Sequence, residues 1–181
     1  MNPTLAAWNA AAESEALDAM LACCGAHRWA AAMVAERPIG SVESLSTAAD
    51  RAWSTLQEQD WLEAFACHPR IGGGIGGGSG ARKPVAVGAH ASGKSAAWSS
   101  QEQSQAGSAG ERVLAELAEG NALYEQRFGF TYIVCATGKS AEEMLAILKR
   151  RLKSNREAEL REAAEQQRQI MQIRLGKWLI E

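Results

Sequence analysis

The amino-acid sequence predicts an all-α fold, a single-domain helical bundle spanning 1–181, and three observations carry that expectation. Apolar residues recur at steps of three and four along most of the chain, the spacing that lines one face of a helix. Hydrophobic residues make up 46% of the 181, yet much of that is alanine and only 6% are aromatic. Such a composition suits close-packed helices better than strands, which favour β-branched and aromatic side chains. Nowhere do strand and helix patterns alternate as a parallel sheet requires.

Residues 4–35 read as helix, with Trp8, Leu17, Met20, Leu21, Trp29 and Met33 as its large apolar positions and a break at Gly25. RPIG at 37–40 ends it, because proline restricts the residue before it and has no N–H to donate. A second helix is expected from about Ser46 to Ala66, on Ala49, Trp53 and Leu56 and then Trp61, Leu62 and Phe65. CHPRIG closes it. Seven of the nine residues from Gly72 to Gly80 are glycine, and Gly, Ser and Ala dominate beyond, so a mobile loop is expected over about 72–98.

A helix resumes near Gly110 with Val113, Leu114, Leu117, Asn121 and Tyr124 on one face. FTYIVCA, 130–136, reads equally as a short buried strand or the start of an apolar helix. Ser140 and Glu143 form a capping box opening a helix with Ala141, Leu145, Leu148 and Leu152 inward. The last helix, about 156–179, lines up Leu160, Ala164, Gln167, Met171, Arg174 and Trp178. That face is apolar except at Gln167 and Arg174.

Several classes of function are disfavoured. A formal charge of −2 and a pI near 6.0 give no broad basic surface for nucleic acid. No apolar run approaches the ~20 residues of a membrane span. The opening residues lack a basic start and an unbroken apolar stretch, and KWLIE is not a peroxisomal address, so a cytoplasmic protein is expected. Cys23, Cys24, Cys67 and Cys135, with His27, His68 and His90, match no zinc or redox spacing, and no metal is expected.

GAHASGKS, 88–95, spells a phosphate-binding loop, G-x-x-x-x-G-K-[ST]. Such a loop works between a buried strand and a helix. Before it stands only PVAV, and AAWSSQEQSQAGSAG after it opens no convincing helix, so nucleotide binding is not expected.

Three features bear on chemistry. His68 sits where a helix stops against Pro69, and a histidine there either caps the last carbonyls or handles protons near neutral pH. SSQEQ, 99–103, offers Ser99, Glu102 and Gln103 together, as a site or as a solvated loop. Arg174 on an apolar face either packs its stem and reaches for water, or recognises a carboxylate with its planar fork.

HPRIG, SSQEQSQAG, NALYEQRFGFTYIVCATG and RLKSN occur in that order. Together they resemble the 2-oxo-4-hydroxy-4-carboxy-5-ureidoimidazoline (OHCU) decarboxylase family, and the likeness covers nearly the whole chain. The resemblance implies an all-helical homodimer without metal or organic cofactor, converting OHCU to S-allantoin and CO2 in urate breakdown. It also implies site residues: His68 as the catalytic histidine with Glu102 its acidic partner, and Pro69 against the substrate. Ser99, Ser100, Gln101 and Gln103 would line the site, as would backbone groups of Tyr132, Ile133, Val134, Cys135 and Ala136, and Arg174 would face the cavity. The departure is the glycine-rich link between His68 and Ser99, longer than is usual there. Two other classes stand beside this reading: an α-helical small-molecule-binding module without chemistry, and an enzyme using Cys67 or Cys135. Cys67 and His68, adjacent in sequence, make a poor dyad.

Overall fold

A computed structural model describes residues 2–72, 93–104 and 110–181, and among these the regular structure is helical throughout. The elements are α1 (Pro3–Ala10), α2 (Glu13–Cys24), α3 (His27–Ala35), α4 (Val42–Ser54), α5 (Glu58–Ala66), α6 (Gly93–Glu102), α7 (Glu111–Phe128), α8 (Ala141–Arg151) and α9 (Arg156–Trp178). The long α9 is the spine: α2, α4, α5 and α7 all pack on it, α3 packs on α2, and α8 on α7. Trp29, Met20, Met33, Phe65, Tyr124, Tyr132 and Met144 fill the core and are almost completely buried.

Local chemistry sets the helix ends. Asn2, Ser41, Ser140 and Asn155 each accept a backbone N–H at the start of α1, α4, α8 and α9, satisfying donors a helix leaves unpaired. Ser140 and Glu143 form the reciprocal capping box, as the sequence indicates. Gly25 ends α2 at φ 85°, and a Cβ there would meet Cys67 Sγ at 2.7 Å. Glycine therefore both takes the left-handed turn and lets the end of α5 approach α2 closely.

Four expectations need correction. The 4–35 helix breaks at Ala11–Ala12 as well as at Gly25, because Arg37 Nη1 takes the carbonyls of Trp8 (2.7 Å) and Ala11 (2.9 Å). The 46–66 helix is two helices: Gln57 and Asp60 form a capping box that starts α5 afresh, while Leu56 turns into the core. FTYIVCA is neither strand nor helix; residues 131–136 run through the core without regular structure. GKSAAWSSQE, the 93–102 stretch, is helix α6, whose first half falls in the span expected as loop. Ser95, Trp98 and Ser99 recur at helical spacing and are buried; the glycine- and serine-rich surroundings hide that pattern. The rest of the expected loop, 73–92, lies outside the described residues. No helix among the described residues is long and apolar enough to cross a membrane.

Candidate functional site

Helix α5 ends at Cys67, and the His68 N–H still donates to the Phe65 carbonyl at 3.1 Å. Pro69 then turns the chain out of the helix. Residues 70–72 are tied down from three sides. Asn121 Nδ2 donates to the Ile71 carbonyl (3.0 Å), the Gly72 N–H donates to Gln103 Oε1 (3.2 Å), and Arg70 pairs with Glu125 through two bonds of 2.8 and 2.5 Å. His68 is thereby fixed at the rim of a cavity.

The ring of His68 is held neutral. Its pKa is pushed down to about 3, first by burial and then by the Arg174 charge, with the nearby Gln167 amide pulling weakly the other way. Burial disfavours the charged imidazolium, and a neighbouring cation adds to the effect. Its Nε2 is buried and has no hydrogen-bond partner among the described residues. A buried, unpaired ring nitrogen costs free energy unless something fills its place.

Helix α6 supplies the second wall, and Arg174 on α9 seats it. The guanidinium donates from Nε and Nη2 to the two oxygens of Glu102 (3.2 and 3.0 Å), from Nη1 to Ser95 Oγ (3.2 Å), and from Nη2 to Ser99 Oγ (2.9 Å). Lys177 Nζ adds a bond to Glu102 Oε1 at 3.3 Å. A carboxylate has about four acceptor positions; these contacts occupy three and leave one for the cavity.

The third wall is the 132–136 run. Tyr132 donates its hydroxyl to the Met144 carbonyl at 3.0 Å. Behind it, Arg151 is paired with buried Glu159 (Nε to Oε1, 2.7 Å) and donates from Nη1 to the Ile133 carbonyl at 2.7 Å. His68, Pro69 and Ile71 meet Ser99, Glu102 and Gln103, with Tyr132, Ile133, Val134, Ala136 and Ile170, around a small, partly open void.

Of the residues singled out in the sequence, His68, Pro69, Ser99, Glu102, Gln103, Tyr132, Ile133, Val134 and Ala136 line this void. Ser100 and Gln101 lie on the exposed side of α6 and do not. Cys135 is absent from the lining, and so is Arg174, four of whose five N–H donors bond Glu102 and the α6 serines. Ile71 and Ile170 line the void without having been singled out. Ile71 stood inside HPRIG, and Ile170 follows Gln167 by about one turn of α9.

Two rival sites look different in three dimensions. Burial raises the pKa of all four thiols, that of Cys24 to about 12, which keeps them protonated and poorly nucleophilic. Within GAHASGKS, residues 88–92 lie outside the described residues. A helix does begin at Gly93, contrary to expectation, but Lys94 pairs with Glu181 at 2.7 Å and Ser95 accepts from Arg174. Among the described residues no cluster of His, Cys, Asp and Glu is placed to hold a metal.

Comparison with known proteins supplies a family for this site. A family model described as OHCU decarboxylase matches residues 9–176. The chain belongs to the OHCU decarboxylase family. It is 35% identical over 158 residues, 86% of its length, to the uric acid degradation bifunctional protein TTL of Arabidopsis thaliana, and covers 44% of that protein. It is 25% identical over 147 residues to the uric acid degradation bifunctional protein of Bacillus sp. (strain TB-90), with 77% of this chain and 24% of that one covered. The chain thus spans less than half the length of these curated relatives. Among solved structures, it is similar to an OHCU decarboxylase crystallised in the presence of (S)-allantoin, with a TM-score of 0.71, 33% identity, and 91% of this chain and 99% of that chain covered. A crystal structure of (S)-allantoin synthase shares the fold, at a TM-score of 0.67 and 17% identity over 96% and 53% of the two chains.

Proposed function

We propose that this chain decarboxylates OHCU to S-allantoin and CO2, with His68 and Glu102 as its catalytic residues. The observation that supports this reading is the convergence of His68, Glu102 and the 132–136 run on one small, partly open void.

A decarboxylase must receive the electron pair that departing CO2 leaves behind. In OHCU the carbon bearing carboxylate and hydroxyl adjoins a ring C=N. As the C–C bond to the carboxylate breaks, its electron pair forms a C=C bond and the C=N pair moves onto nitrogen, which takes a proton from solvent, the one proton the net reaction consumes. The resulting enol loses its hydroxyl proton and gains one on the neighbouring carbon, giving a ring amide carbonyl and the new stereocentre. His68, neutral at working pH, first accepts the hydroxyl proton and then returns it to that carbon. Glu102, held on one side by Arg174 and Lys177, offers its remaining acceptor position to the hydroxyl or a ring N–H. Ser99, Gln103 and Pro69 shape the pocket around the ring, and Arg174 acts through Glu102 rather than by touching substrate. In the same reading the protein is a cytoplasmic homodimer, which sedimentation and cell fractionation test.

OHCU is expected from its chemistry to decay unaided, with water protonating either face to give racemic allantoin. With one fixed donor the product is optically active. Fresh OHCU with the protein should decay faster and develop the circular dichroism of S-allantoin. His68→Asn should abolish the acceleration with the fold intact, and Glu102→Gln should impair it strongly. Wild-type protein that neither speeds decay nor biases the enantiomer would sink this reading.

A further inference from the structure

Three consecutive peptide units in the 133–136 run are each gripped on one side only. The Ile133 carbonyl accepts from Arg151 Nη1 (2.7 Å), the Cys135 N–H donates to Gln166 Oε1 (2.9 Å), and the Cys135 carbonyl accepts from Lys139 Nζ (2.7 Å). All three units are trans, the cis bond among the described residues being Arg37–Pro38. In a trans peptide the C=O of one residue and the N–H of the next point in opposite directions. Fixing the Ile133 carbonyl therefore turns the Val134 N–H the other way. Fixing the Cys135 N–H does the same to the Val134 carbonyl, and fixing the Cys135 carbonyl does so to the Ala136 N–H.

Those three opposed groups have no hydrogen-bond partner among the described residues, and Val134 and Ala136 are about 95% buried, at 3% and 5% exposure. Buried backbone groups are nearly always paired. Ile133, Val134 and Ala136 line the site void while Cys135 does not, and with the outer side of the run taken up by Arg151, Gln166 and Lys139 we assign the unpaired edge to the void. It reads donor, acceptor, donor. The polarity of the Gln166 amide is itself set, because its Nε2 donates to Glu162 Oε1 at 3.2 Å, which leaves Oε1 for the loop.

We propose that Arg151, Gln166 and Lys139 are positioning residues that set this donor–acceptor–donor edge for recognition of a ureide, whose carbonyl and N–H groups present the complement. The inference deepens the decarboxylase reading of the same void and rests on it. Without these side chains a peptide unit can flip and offer an acceptor where the substrate also accepts. Arg151 is an unsuitable probe, because its removal strands buried Glu159; Gln166 and Lys139 reach the loop from outside the core.

Gln166→Met and Lys139→Met should each raise KM for OHCU by roughly 3- to 10-fold, the scale of one neutral hydrogen bond, with kcat and Tm little changed. Gln166→Glu made together with Glu162→Gln, which keeps both the acceptor towards Cys135 and a donor–acceptor pair between the two side chains, should recover most of that loss. Independently of turnover, adding allantoin should move the amide NMR resonances of Val134 and Ala136, but not that of Cys135, which is turned to Gln166. In Gln166→Met the Val134 and Ala136 response should shrink. Unchanged KM in both methionine variants, a fall in Tm that accounts for the loss, or an allantoin response at Cys135 instead would overturn the inference. Failure of the wild type to speed OHCU decay overturns the decarboxylase reading, and the amide pattern then decides the loop's role by itself.

Discussion

Arg174 holds Glu102 through two near-parallel bonds, Nε to Oε1 at 3.2 Å and Nη2 to Oε2 at 3.0 Å, with the arginine side chain 1% exposed. The pair joins α9 to α6 and places one cation beside both residues proposed as catalytic, Glu102 and His68. It orients the Glu102 carboxylate, and its charge helps keep His68 neutral. An arginine that the family resemblance turns towards the cavity is thus bonded to Glu102, Ser95 and Ser99.

Removing either partner of this buried pair strands the other. Arg174→Met and Glu102→Met should each destabilise the fold by about 3–5 kcal/mol, whereas removing both leaves no unpaired buried charge. Lys177 still reaches Glu102 once Arg174 is gone, so Arg174→Met should sit at the lower end. Urea unfolding of the double variant should show less loss than the sum of the singles, by about 0.5–3 kcal/mol. Additive losses would mean that the two side chains contribute independently.

Stability should fall as pH drops below the ordinary histidine range. The folded-state pKa of His68, about 3, lies below its unfolded value near 6.5. Between these values the unfolded chain binds the extra proton and the native chain does not, so the contribution is intact above about pH 6.5 and declines towards pH 3. Each pH unit in that window costs at most ~1.4 kcal/mol. His68→Asn lacks this loss, so the wild type should lose more unfolding free energy than the variant between about pH 7.5 and pH 5. A difference between the two proteins that is independent of pH would contradict the buried neutral ring.

Arg174→Met should also raise the His68 pKa, because it removes a cation and loosens the wall that excludes water. Following the His68 ring by NMR, the wild type should show no titration near pH 6.5, and the variant should titrate closer to it. The acid limb of kcat/KM should move upward in the same direction. A wild-type ring that titrates near 6.5 would refute the assignment.

Lys94→Ala should leave OHCU decay within about twofold and Tm nearly unchanged, since the exposed Lys94–Glu181 pair is worth ~0–1 kcal/mol. Trp98 Nε1 still holds Glu181 at 3.0 Å. Calorimetry with ATP and magnesium should register no binding. Micromolar affinity lost in the variant would restore GAHASGKS as a nucleotide loop.

The sequence alone determined what depends on neighbours along the chain. The helix faces of α7, α8 and α9, the Ser140–Glu143 box and the stop at His68–Pro69 all follow from periodicity, capping and proline geometry, and the ordered motifs carry the family. Only the tertiary structure decided what depends on partners far apart in the chain. Arg37, 26 residues beyond Ala11, takes the carbonyls that would have continued α1. Helix α6 is weak by composition, and its buried serines acquire meaning against Arg174, 75 residues past Ser99. The direction of each peptide in 133–136 is set by Lys139, Arg151 and Gln166, because a run without its own hydrogen-bond ladder takes its conformation from whatever packs around it.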